Sequence, residues 1–477
     1  MLKKYKYPLL FVAAMLLSYL TNTFLYQRDS TGPHLATLFL VLCTIILLNC
    51  KHWLPAVAGF IITLIFSLEV GYFTEFHERI SAGVLDSALE TNNSEATLML
   101  GHYLYSIILP ALCISVLIFI CFRRKRLRLP RWFTLSPVFI FGFLMISLLR
   151  EVIPEYRNLS INFSEDPYEL GTYLREKFPV VAGNIMYVSS VALSHDKYTE
   201  NYPDRKPNRV LASAGKPQNK LIIFIIGESS SPSRYHIYGY SKETTPESEE
   251  NLFRQKSVIE IAQDQGYKTY WLGAQSLVGV NGSKYGYLAR RNNTVIVEEN
   301  NDMKLPELLK QALAEPDEYK FIILHLWGNH MPYTNYTETE KQQLNDAGDY
   351  DLTIRHTDNV IGRLYDEVES VTDDYIFIYT SDHGEIVGKG HGFSKGADQF
   401  LIPFLYKSGN PSYGCEFIEK YRNQDGWISG LMNKYILSEL LGYSLDQSIA
   451  EPDKQHDRIL STDGYAIPFS SYFNKNK

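Results

Sequence analysis

Leu221-Ile222-Ile223-Phe224-Ile225-Ile226-Gly227-Glu228 is the stretch whose reading decides the fold. Six apolar residues in a row, four of them isoleucine, do not alternate with polar ones. A strand solvated on one face alternates, so this pattern predicts a strand covered on both faces. It ends in Gly227, Glu228, Ser229 and Ser230. Two more segments repeat the design: FIILHLWGNH at 321–330 and YIFIYTSDHGE at 375–385. Each predicted strand delivers polar residues at its C-terminal end. A further strand is expected at 269–274. Between them lie helix-patterned segments: SVIEIAQDQG, KLPELLKQALAEP and DNVIGRLYDEVESV. Alternating strands and helices predict a mainly parallel α/β sheet whose ligands bind at the carboxyl edge of the strands.

The residues expected to converge on that edge are Glu228, His325, His330, Asp382, His383 and His391. Two carboxylates with an imidazole suit zinc or manganese with an open coordination position. A strand-end Asp taken alone is more often a helix cap. Three strand ends carrying ligand-type residues favour a metal site.

Upstream of this domain the composition changes. Residues 1–150 carry 13 Lys/Arg and 7 Asp/Glu, while 151–477 carry 33 and 46. The acidic half argues against a nucleic-acid partner. With 45% apolar residues the chain is not a disordered one. Apolar stretches near 7–26, 34–50, 53–74, 97–122 and 132–149 each approach the ~20 residues that cross a bilayer. Lys3, Lys4, Lys6, Lys51 and the run Arg123, Arg124, Lys125, Arg126, Arg128, Arg131 fall on one side of five such spans. The positive-inside rule then predicts a cytoplasmic N-terminus, with everything after Arg150 outside. Residues 76–96 would form the longest outer loop, with a short interfacial helix. The domains expected are 1–150, five transmembrane helices; 151–215, bridging amphipathic helices and a linker; and 216–477, an exported catalytic domain. Four of the five cysteines lie in the apolar part, and Cys415 is alone in the soluble half, so that half has no internal disulfide.

The motifs together resemble those of bacterial phosphoethanolamine transferases, in the alkaline phosphatase–sulfatase superfamily. Gly227-Glu228-Ser229 followed by Tyr238-Gly239-Tyr240 and Thr244-Thr245-Pro246 is similar to their GE(S/T)…YGYxxxTTP segment. His325 through Tyr333 resembles HxxGSHxPY. Tyr350-Asp351 through Asp358 resembles YDNxxxxxD, and Ser381 through Glu385 with His391-Gly392 resembles SDHGE…HG. Leu89-Glu90-Thr91-Asn92 and Glu95-Ala96 are similar to their ETNxxEA loop. The likeness runs over nearly the whole chain.

The resemblance implies zinc held by Glu228, Asp382 and His383, with a hydroxyl nucleophile beside it. It implies transfer of phosphoethanolamine from phosphatidylethanolamine to lipid A, a lipopolysaccharide core or a periplasmic glycan, in the bacterial inner membrane. His330 and His391 would bind phosphoryl oxygens or protonate the leaving oxygen, and His325 would be structural. Gln275 and Lys284 would contact the ethanolamine phosphate, or lie in a solvated loop. Lys395 would contact phosphate, or be a surface lysine. Glu69, late in the third span, would take the ethanolamine amine, or only reach the interface. Phosphoglycerol transfer is the alternative within the superfamily.

One departure stands out. The family nucleophile is a Thr between the TTP segment and the next helix. Here the 18 residues Glu247 to Asp264 contain no Thr, and their hydroxyls are Ser248 and Ser257. Ser257 opens SVIEIAQD, where it fits an N-cap. Three readings stay open: a chain that has lost its catalytic centre, a local substitute with Ser229 first and Ser230 second, or an inactive relative that acts by binding.

Overall fold

The computed structural model describes residues 2–25, 31–81, 84–85, 97, 100–101, 103–158, 175, 180–193, 211–229, 256–277, 282–344, 347–393, 396–455, 458–460 and 466–470. The chain forms two compact units, Met1–Leu85 with Ala96–Ser194, and Asp86–Glu95 with His195–Lys477. Each is taken by itself.

The first unit is helical. Its main helices are α1 (Leu2–Leu20), α2 (Thr31–Asn49), α3 (Trp53–Phe76), α4 (Leu109–Arg124), α5 (Arg131–Asn158) and α6 (Val180–Leu193). Three segments are long and apolar enough to cross a membrane: Tyr7–Leu25, Trp53–Phe76 and Leu104–Arg124. Two apolar helices, Pro33–Asn49 and Arg131–Ile146, are shorter. Large apolar side chains point outward, Phe139 at 74% and Val138 at 63% exposure, which suits lipid rather than water as the surrounding medium.

Polar side chains tie the helix ends. The Asn49 amide donates to Leu127 O at 2.7 Å and accepts from Leu127 N at 2.7 Å. Arg123 donates to Cys50 O at 2.7 Å and lies 4.7 Å over the Trp53 ring. Glu69 is buried in α3 and accepts from Asn184 of α6 at 3.1 Å. Arg175 in turn donates to Asn184 Oδ1 at 2.9 Å and to Ile80 O at 2.7 Å. The ETN-like loop, 159–174, 176–179 and 194–210 lie outside the described residues.

The second unit is built on a six-stranded sheet. Its strands are β2 (Leu221–Gly227), β3 (Lys268–Gly273), β4 (Thr294–Val297), β5 (Lys320–His325), β6 (Tyr375–Ser381) and β7 (Phe404–Ser408), in the order β4-β3-β5-β2-β6-β7. All neighbours are parallel except β6 and β7. A short pair, β1 (Leu211–Ala214) with β8 (Tyr443–Leu445), lies apart from it. β2 is central, which explains its unbroken apolar run: every one of its side chains meets another layer. Register sets the site. Ile226 pairs with His325 and with Thr380, and Gly227 pairs with Ser381. The ends of β2, β5 and β6 therefore stop at one level, and the residues that follow them meet.

Between the strands run α7 (Val258–Asp264), α8 (Gly282–Ala289), α9 (Leu305–Ala314), α10 (Glu338–Gln343) and α11 (Asp349–Glu369). Ser257 caps α7 as its position predicts: its hydroxyl accepts from Glu260 N while Glu260 accepts from Ser257 N at 2.8 Å. The core on one face joins Ile222, Phe224, Trp271, Phe321, Ile376 and Tyr435.

Candidate active site

Glu228 and Ser229 follow β2, and Asp382 and His383 follow β6. His383 Nε2 lies 3.0 Å from Glu228 Oε1 and 3.6 Å from Asp382 Oδ2. His383 Nδ1 is 2.8 Å from Gly384 O, so its proton sits on Nδ1 and Nε2 faces the carboxylates. Gln275, after β3, donates to Glu228 Oε2 at 3.0 Å. The ends of β2 and β6 thus supply the cluster, and Gln275, after β3, rests directly on Glu228.

Two glycine-like conformations make the close approach workable. Gly328, at φ +64°, lets the loop after β5 cross β2: a Cβ there would stand 2.8 Å from Glu228 N. Ser229 adopts φ +51° without being glycine. Its carbonyl accepts from the Tyr350 hydroxyl at 2.7 Å, which holds the turn against its local cost. Ser229 has no exposed surface, and its hydroxyl donates to Glu228 Oε1 at 3.3 Å.

The charges are not balanced by protein alone. Burial and the nearby Asp382 push Glu228 up to about 7, against the pull of His383 and His330. Burial opposes the charge on Asp382, but His383 outweighs it and holds Asp382 low. Burial likewise opposes the charge on His383, and the two carboxylates overcome it and raise His383 well above the usual imidazole range. Two carboxylates and one imidazole, whose ligand atoms lie within 4.8 Å of one another, are thus held in a group that favours an added cation. The oriented imidazole, with its far nitrogen anchored on a backbone carbonyl, is the arrangement metal-ligating histidines adopt. The residues fit a divalent metal.

His391 stacks on His383 at 3.8 Å between ring centroids, and His330 stands 6.0 Å from His391. Burial and then the two other imidazoles depress His391 well below the usual range. His330 Nδ1 is 2.7 Å from Met331 O, leaving Nε2 to face outward from that bond. His325 is enclosed between Tyr285, at 4.3 Å, and Trp271, at 5.6 Å, with neither ring nitrogen hydrogen-bonded. Burial lowers it to about 4, so it is neutral at physiological pH.

Sequence reasoning missed three groups. Glu385 is buried and accepts from Tyr333 at 2.6 Å, and its second oxygen lies 3.6 Å from His391 Nδ1. Burial raises it to about 7. It stands inside the quoted SDHGE segment, where its burial had no visible sign. Asp302 accepts from Trp327 N at 2.7 Å, Gly328 N at 2.9 Å and the Asn335 amide at 2.8 Å. It fixes the loop that carries His330, from a position 25 residues away with no motif to mark it. Tyr285 donates to Asp382 Oδ2 at 3.5 Å. Of the remaining predicted contacts, Lys395 and Ser230 lie outside the described residues, and so does the side chain of Lys284. Glu69 belongs to the helical unit, where it bonds Asn184.

A family model for sulfatases matches residues 249–431, which include His330, Asp382, His383 and His391 and begin after Glu228. The putative transferase YhbX of Escherichia coli K12 is 23% identical, over 74% of this chain and 73% of its own. Phosphoethanolamine transferase EptC of the same strain is 21% identical, over 70% and 69%. The integral membrane lipooligosaccharide phosphoethanolamine transferase A of Neisseria meningitidis shares the fold over 93% of this chain and 97% of that one, with a TM-score of 0.55 at 17% identity. The chain thus carries a sulfatase match and is similar in sequence to phosphoethanolamine transferases, whose fold it shares.

Proposed function

We propose that this chain transfers phosphoethanolamine from phosphatidylethanolamine to an acceptor of the bacterial envelope: lipid A, core oligosaccharide or a periplasmic glycan. The observation that carries it is the Glu228–Asp382–His383 group at the carboxyl edge of the parallel sheet. The chain would sit in the inner membrane with five crossings, its N-terminus cytoplasmic and its α/β domain periplasmic. Expulsion of large apolar side chains to the surface of α4 and α5 supports the membrane location.

Glu228, Asp382 and His383 would hold zinc. Zinc there would supply a Lewis acid that draws charge from the phosphoryl group and acidifies a neighbouring hydroxyl. The chain's own residues divide the other tasks. His330 and His391, whose ring centroids lie 6.0 Å apart, would bind phosphoryl oxygens. His330 would protonate the glycerol oxygen as it leaves, and neutral His391 would bind a phosphoryl oxygen. Gln275 holds Glu228, and the His383 Nδ1–H···O bond to Gly384 holds His383, so that the ligating side chains keep one geometry. Ser229 is the hydroxyl that the sequence nominates as nucleophile, and it lies against Glu228 but beneath the surface.

The test is diacylglycerol release from acyl-labelled phosphatidylethanolamine by the full chain in micelles with zinc, with phosphatidylglycerol as a competing donor. Release from the ethanolamine lipid, lost in Asp382→Ala, is expected. Release from phosphatidylglycerol alone would replace the donor. No release from either would leave a protein that binds metal without transferring.

A further inference from the structure

Transfer by way of an enzyme-bound group needs a hydroxyl that reaches both the metal-ligating cluster and an incoming lipid. Among the described residues, the hydroxyls placed against Glu228 or Asp382 are those of Ser229, Ser381 and Tyr285. Ser381 Oγ lies 3.2 Å from Asp382 Oδ1 and donates to His383 O at 2.9 Å. It is 3% exposed, and Ser229 is 0% exposed. Both are internal braces of their turns. Tyr285 differs. Its residue is half-buried and its bond to Asp382 Oδ2, at 3.5 Å, lies at the surface.

The phenol is held from behind. The Tyr285 ring packs on His325 at 4.3 Å and 35°, and on Trp271 at 6.3 Å. Trp271 belongs to β3 and His325 ends β5, so the ring stands on the sheet itself. A tyrosine has only two rotatable bonds to fix, and two buried rings fix them here. The long bond to Asp382 is then a consequence of placement rather than its cause.

We infer that Tyr285 is the residue that takes the phosphoryl group, an inference that rests on the transferase reading above. Its phenolic oxygen forms the new bond to phosphorus, and the bond from phosphorus to the glycerol oxygen breaks. The phenolic proton leaves to water at the open mouth, and the glycerol oxygen takes a proton from His330. In the second half an acceptor hydroxyl attacks the same phosphorus and gives up its proton to the deprotonated His330, while the phenolic oxygen leaves and regains a proton from water. A phenol, with a reference pKa of about 10, is a better leaving group than a serine hydroxyl, so an aryl ester favours this discharge.

The experiment uses the full chain in micelles with zinc and phosphatidylethanolamine, quenched in acid and mapped by peptide mass spectrometry. The expected result is a phosphoethanolamine adduct on the peptide that contains Tyr285. Tyr285→Phe should lose the adduct and slow diacylglycerol release by about 1,000-fold or more, with zinc affinity kept within about tenfold. An adduct on any other residue, or a Tyr285→Phe protein that turns over like the unsubstituted one, overturns the inference and leaves the transferase reading intact. No release from the unsubstituted chain overturns both. A second measurement does not depend on turnover: 3-fluorotyrosine at position 285 is followed by fluorine NMR as zinc alone is added. A shift that Asp382→Ala abolishes supports the placement. Zinc bound with no shift overturns it.

Discussion

The α/β domain buries two carboxylate–imidazole groups, and they are built on opposite principles. Around Glu340, everything is satisfied. Its carboxylate accepts from Thr337 N at 2.7 Å, the Asn359 amide at 2.6 Å and His356 Nδ1 at 3.0 Å. Burial opposes its charge, but these donors prevail and hold it at about 2. Around Glu228 the second carboxylate, Asp382, adds to the cost of burial, and the group rises to about 7. The first set locks α10 to α11. The second set is left wanting a cation. Burial alone therefore does not mark a functional group; burial without enough donors does.

The largest effect should come from breaking the satisfied set. Glu340→Ala strands His356, Asn359 and the Thr337 amide in the interior. Loss of one partner of such a group costs about 3–5 kcal/mol. The midpoint of thermal or urea unfolding should fall accordingly, while zinc affinity stays unchanged. Glu228→Gln should do the reverse. It removes the carboxylate that the metal-free site tolerates least, so the metal-free melting midpoint should rise at pH 8. Zinc affinity by calorimetry should drop by more than about 100-fold, beyond what loss of an outer partner costs. A stabilising loss of Glu340, or a destabilising loss of Glu228 without zinc, would erase the contrast.

The two groups should also bend stability with pH in opposite directions. An unfolded glutamate titrates near ~4.3. Glu228 at about 7 holds its proton more tightly when folded. Between these values the folded state carries more protons, so metal-free stability falls as pH rises through that window. Glu340 at about 2 gives up its proton more easily when folded. Its contribution is complete above ~4.3 and is lost as pH falls toward 2. Melting midpoints of the metal-free protein should decline on both limbs. Zinc should flatten the upper limb, because a cation replaces the proton on Glu228, and leave the lower limb as it is. Glu228→Gln should flatten the upper limb in the absence of zinc.

This contrast also explains what was legible in the sequence. The unbroken run 221–226 could only be a two-sided strand, and the strand-end residues Glu228, Asp382 and His383 follow from it and from register. Helix α7 begins at Ser257, as its capping pattern states. Asp302, Glu385 and Tyr285 were not legible. Each acts through a contact made across the fold, and none lies in a spacing that a helix or strand would impose. The apolar N-terminal stretches were legible as helices. Three described segments are long and apolar enough to cross a bilayer, and two apolar segments, Pro33–Asn49 and Arg131–Ile146, are shorter.

The smallest effect sharpens the comparison most finely. Two helices in the domain open with the same capping box. At α7 it is Ser257 with Glu260, and at α10 it is Thr337 with Glu340. Truncating an N-cap to alanine costs about 1 kcal/mol when the cap serves its helix alone. Ser257→Ala should show that cost, for beyond its own cap Glu260 pairs with Arg291 at a loose 3.8 Å. Thr337→Ala should exceed it. The Thr337 hydroxyl lies 2.9 Å from Glu340 Oε2 and is one of the donors that keep this carboxylate ionised. The extra loss should be visible above ~4.3, where Glu340 is charged in both states, and should shrink as pH falls toward 2. Equal costs for the two caps at neutral pH would mean that the Glu340 set draws nothing from the Thr337 hydroxyl, and that its low pKa is the work of the Thr337 backbone N–H, Asn359 and His356.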